Sequence, residues 1–119
     1  MKKHLLVLVV LLLMVSVPVF VQAQNRISTD GLAADTLIRT SVVDSPSGFC
    51  GLIVAADGTN AATATVYDNT SGSGKKLGTV VVAAGEYLSG FVLPYCVDAI
   101  TGIYLDVGTN TTAWVHWVR

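Results

Sequence analysis

The sequence predicts an all-β fold, a single antiparallel β-sandwich of about seven strands, Ig-like or jelly-roll-like in its connections, behind a cleaved signal peptide. Three observations carry that expectation. Short β-branched runs recur from Leu37 onward and are separated by clusters of Gly, Asn, Asp, Ser or Pro. Within the runs apolar and polar residues alternate, as they do on a half-buried strand. No stretch after Ala23 carries the i, i+3, i+4 apolar stripe of an amphipathic helix.

Residues 1–23 come first and set the destination. Lys2 and Lys3 precede an apolar run over 5–15, Pro18 breaks it, and Val21-Gln22-Ala23 places small residues where signal peptidase needs them. Cleavage after Ala23 is the expected outcome, with a secreted or periplasmic product. The alternative is a membrane anchor, but the run over 5–21 falls short of the roughly 20 residues that span a bilayer. That leader concentrates the apolar excess: the whole chain of 119 residues is 52% hydrophobic and 13% charged. Without Lys2 and Lys3 the 7 basic residues become 5 against 8 acidic ones, a charge of −3. A surface of that sign does not suit electrostatic binding of nucleic acid.

Residues 24–36 read as a polar arm without clear periodicity, a flexible lead or the approach to the first strand. The sandwich domain is then expected over 37–119. Its strands are expected near 37–43, 49–56, 63–67, 76–82, 87–93, 102–107 and 112–118. Ala64 and Val66 oppose Thr63, Thr65 and Tyr67 across one strand, and Ile103, Leu105 and Val107 oppose Tyr104 and Asp106 across another. The loops over 57–60, 68–74 and 108–110 supply Asp, Asn, Ser and Gly, which turn the chain by tolerating positive φ or bonding their own backbone.

Cys50 and Cys96 are the only cysteines, both beyond the leader, and an even count in an oxidising compartment favours a disulfide. Two reduced, buried thiols are the alternative. Cys50 shares its parity with Leu52 and Val54, so the bond is expected inside or beside the core. Trp114 and Trp117 lie at odd spacing on one strand and so point to opposite faces; one belongs to the core. Tyr67, Trp114, His116 and Trp117 form the candidate interaction surface.

Chemistry is sparse. His116 is the one histidine beyond the leader and has no positioned partner in sequence. Ser73 and Ser89 lack the strand-turn-helix setting of a nucleophile elbow. Glu86 is the only glutamate, so a glycosidase pair would need Asp98 or Asp106 brought to it. The run Ser71 to Lys76 lacks phosphate-loop spacing and reads as a hairpin turn. Asp57, Asn60, Asp68, Asn69 and Asp106 are oxygen donors that could suggest calcium, but their spacing is not that of an EF-hand, and Asx turns account for them. No catalytic residue, metal or cofactor is expected, and the chain reads as not an enzyme.

Thr65-Val66-Tyr67-Asp68-Asn69-Thr70-Ser71, followed by Gly74, Leu77, Gly78 and Thr79, resembles a stretch of small β-sandwich domains found among tailed-phage virion proteins. Gly48 to Val54 before it and Thr101 to Gly108 after it follow the same order, so the resemblance covers about residues 37–119. It implies a structural role without catalysis. The leader and the two cysteines depart from virion parts and suit a host-exported relative. The expected function is a non-catalytic structural or binding module, with an unknown protein partner or self-association through edge strands. A phage-derived decoration or fibre protein and a small secreted carbohydrate-binding protein or hydrolase remain alternatives.

Overall fold

The computed structural model describes residues 26–42 and 44–119, so the expected leader lies outside the described residues. Eight strands follow in order: β1 (Ile27–Ser28), β2 (Thr36–Thr40), β3 (Ser47–Ala56), β4 (Ala62–Asp68), β5 (Lys75–Val82), β6 (Leu88–Ala99), β7 (Gly102–Val107) and β8 (Thr111–Val118). They form two four-stranded sheets, β1-β8-β3-β6 and β2-β7-β4-β5, antiparallel throughout. Each strand thus pairs with its counterpart from the other end of the series: β1 with β8, β2 with β7, β3 with β6, β4 with β5. A long hairpin folded across itself gives this order, which is that of a jelly roll.

The strand alternation builds the core. Leu52 and Val54 of β3, Ala64 and Val66 of β4, Ile103 and Leu105 of β7, and Ala113 and Val115 of β8 meet between the sheets, fully buried. Burying each Leu, Ile or Val among them contributes about 1.5–3 kcal/mol. Phe91 from β6 sets its ring edge-on to Phe49, with centroids 6.1 Å apart. Gly78 of β5 makes room for that pair, since a Cβ there would stand 2.7 Å from the tip of Phe91. The two open-ended strands β5 and β6 are joined at this point by packing rather than by a ladder.

Three features depart from the sequence reading. The segment expected as an arm is drawn into the sandwich: Ile27 pairs with Trp117 and Ser28 with His116. Further along, Leu32 exchanges both backbone hydrogen bonds with Ala113, each 2.8 Å. A strand of only two residues leaves no periodicity to read, hence eight strands rather than seven. Second, β6 continues to Ala99, well beyond the expected end at Leu93. Third, the register slips at Cys50. Phe49 pairs with Val97, but Gly51 pairs with Val92, so Leu93, Pro94, Tyr95 and Cys96 all stand opposite the single residue Cys50. The slip transfers inward parity from Cys50 to Phe49, which takes the core position while Cys50 is buried beside it. Pro94 has no N–H to give a ladder, which is why the excursion falls there.

The disulfide closes that excursion. Cys50 and Cys96 are bonded, with an S–S distance of 2.02 Å and Cα atoms 4.2 Å apart. Their sequence separation is 46 residues. For a loop of that length the chain-entropy model gives about 4 kcal/mol, a sizeable part of the roughly 5–15 kcal/mol that keeps a small domain folded. The bond is compatible with an oxidising compartment.

Candidate functional site

Along β6 the alternation gives two different rows. Phe91 and Leu93 lean into the core, while Leu88, Gly90 and Val92 point to the outside of the sheet. Leu88 is 63% exposed and Val92 54%, and with Ile53 of β3 they line a shallow apolar depression. Tyr95, in the excursion, is 84% exposed. From Tyr87 to Val97 the chain carries no Asp, Glu, Lys, Arg or His. Because β6 ends the order of its sheet, one side of its backbone has no strand beside it among the described residues. Unpaired N–H and C=O groups in a row are a template for another strand.

The four residues expected at the interaction surface separate. Trp117 turns inward on β8 and is 8% exposed. The Arg39 guanidinium lies 5.5 Å from its ring centroid, and Arg39 Nε donates to Ser47 Oγ at 2.7 Å, which fixes the cation over the ring. Trp117 therefore presents no free face to a partner. Trp114 points to the outer side of the same sheet and is half-buried, because the chain through Gly31 crosses it; a Cβ on Gly31 would stand 3.1 Å from Trp114 Cζ2. His116 shares that outer side, opposite Gly51 and Ser28. Its Nε2 is buried with no hydrogen-bond partner among the described residues. Tyr67 is elsewhere, on the outer face of the second sheet, directly opposite Tyr104 on one side and Lys76 on the other. Thr65 and Thr79 share a hydroxyl–hydroxyl bond of 3.1 Å across the same two strands.

Three of the oxygen donors that raised calcium, Asp57, Asp68 and Asn69, are engaged by backbone amides. Asp57 Oδ1 accepts from the amides of Thr59 and Asn60, each at 2.8 Å, and Oδ2 accepts from Asn60 Nδ2 at 2.9 Å. Those donors, the Asn60 amide foremost, hold the Asp57 carboxyl below the usual carboxylate range. Asp68 Oδ1 accepts from the amides of Thr101 and Gly102, bracing the β6–β7 turn from β4. Asn69 closes the β4–β5 hairpin by donating to Ser73 O at 2.8 Å, so the glycine-rich run is a turn. Among the described residues no three His, Cys, Asp or Glu side chains gather as metal ligands.

Sequence reasoning found the tryptophan parity and the cysteine pair but passed over β6 as a surface. The signal was present: an uncharged run of that length at a sheet edge is unusual, since edges are commonly blunted with Lys or with inward charges. What hid it was the strand order, without which edge and centre look alike. Compared with protein-family models, curated proteins and solved structures, the chain matches none.

Proposed function

We propose that the chain is an exported, non-catalytic structural module that assembles with copies of itself through a sheet edge. The observation that carries this reading is β6: a long strand at the end of its sheet, uncharged from Tyr87 to Val97, with Leu88, Val92 and Tyr95 exposed along it. A rigid jelly roll held by one disulfide suits a building block, because assembly then loses little chain entropy. Two of the carboxylates that raised calcium, Asp57 and Asp68, serve as turn braces. The leader expected over 1–23 and the bond between Cys50 and Cys96 support export. The phage-like motif around Tyr67 supports a structural role of the same kind.

Light scattering coupled to size-exclusion chromatography, on the disulfide-bonded protein over a concentration series, tests this. Association that grows through the micromolar range is expected. A monomer at every concentration overturns self-assembly. Sugar-array binding abolished by Tyr67→Ala would move the reading to the carbohydrate-binding alternative, for which the Tyr67–Tyr104 pair is the matching surface.

A further inference from the structure

The sandwich has several edges, but they differ in what they offer. β1 spans only Ile27–Ser28, and β5 opens with Lys75 and Lys76, both exposed. The charges at β6, Asp98 and the Arg26 guanidinium that donates to Pro94 O at 3.0 Å, lie beyond Leu93; the stretch from Leu88 to Leu93 combines exposed apolar side chains with an absence of charge. A partner recognised by charge finds nothing there to pair with. An identical strand, however, can lie against β6 without bringing like charges together.

We propose that a second copy of this chain adds to β6 antiparallel about a two-fold axis at Gly90, so that Leu88 of each copy lies beside Val92 of the other. The inference rests on the self-assembly reading and names its edge, its occupant and its register. A two-fold interface requires that if residue i meets j, then j meets i. About Gly90 that condition places Leu88 against Val92 on the outer row and Ser89 against Phe91 on the inner one. The axis residue faces its own copy, and Gly90 is the position in this stretch that brings no side chain to that crossing. Ile53 stands behind the outer row on β3, so the apolar strip runs on from one copy to the next. Pro94 and the disulfide-closed excursion interrupt the ladder beyond Val92, which confines the contact to the stretch around the axis. The product is a two-fold dimer in which two four-stranded sheets become one continuous sheet.

The test uses the disulfide-bonded protein and leaves Gly90 alone, because a Cβ there would meet Leu52 O at 2.6 Å and disturb the fold itself. The double variant Leu88→Lys with Val92→Lys is expected to weaken dimerisation by roughly tenfold for each of the two contacts that becomes Lys against Lys. Val81→Lys, equally exposed but on β5, is expected to leave it unchanged. In the unsubstituted protein, amide exchange over 88–92 is expected to slow as concentration rises while β5 exchange does not, which locates the edge even if the double variant folds poorly. An oligomer untouched by Leu88→Lys with Val92→Lys, or exchange that slows elsewhere, overturns this edge and leaves self-assembly standing. A monomer throughout overturns both.

Discussion

β5 and β6 end their respective sheets and meet through Phe91 and Gly78, yet they are protected in opposite ways. β5 is blunted by charge: Lys75 and Lys76 open it, and its pairing with β4 shifts between Val66 and Tyr67. A charged, irregular edge does not welcome a second strand. β6 has neither guard along its first half. It is held instead by a covalent bond at the excursion, which fixes where the strand lies but leaves its outer backbone open. The contrast teaches that stability and guarding are separate properties of an edge, since the more firmly attached strand is also the more available one.

The strongest way to break that comparison is to remove the bond. Cys50→Ala with Cys96→Ala is expected to cost about 4 kcal/mol in denaturant unfolding, by the chain-entropy argument. Amide exchange should rise most along β6; an equal rise along β5 would mean the bond supports the whole sandwich and not one edge. A smaller effect comes from the point where the strands touch. Gly78→Ala drives a methyl group towards the Phe91 ring and is expected to cost about 1–3 kcal/mol through overpacking. Combined with Phe91→Ala, most of that loss should vanish, because the clashing ring is gone; additive losses would show that the two edges are energetically independent.

How much of this was readable without coordinates depends on the residue. Alternation at Ala64 and Val66, and at Ile103 and Leu105, names core positions because a strand's period survives any arrangement of strands. The opposed tryptophans follow from the same parity. The slip at Cys50 was not readable, because a register shift depends on how many residues the neighbouring strand commits, and that is settled by Pro94 in a different part of the chain. Ile27 and Ser28 were unreadable for another reason: their strand is defined by Trp117 and His116, far away in sequence, not by any pattern of their own. The surface on β6 needed both pieces of information at once, composition and position in the sheet.

The smallest effect sharpens the comparison at the start of β6. Tyr87 lies against Gly58, in the turn that Asp57 braces, and Tyr87 O accepts from the Ala56 amide at 2.9 Å. The Asp57 carboxyl is held low by its amide donors, so its contribution is present above the ordinary carboxylate value and is lost as pH falls through the lowered one. In acid, local exchange around Asp57 and Tyr87 should rise without a change at Lys75 or Lys76. Carboxyl titration by NMR checks the direction: an Asp57 value at or above the ordinary one would remove the brace.

The pairing of first strand with last has a consequence for how the molecule is made. β3 takes its second neighbour from β8, and among the described residues β1 pairs only with β8. A ribosome that still holds residues 111–118 therefore keeps the sheet unfinished, since its contacts have long sequence separation and are slow to form. β8 acts as the latch, and a nascent chain without it would leave the middle of one sheet bare.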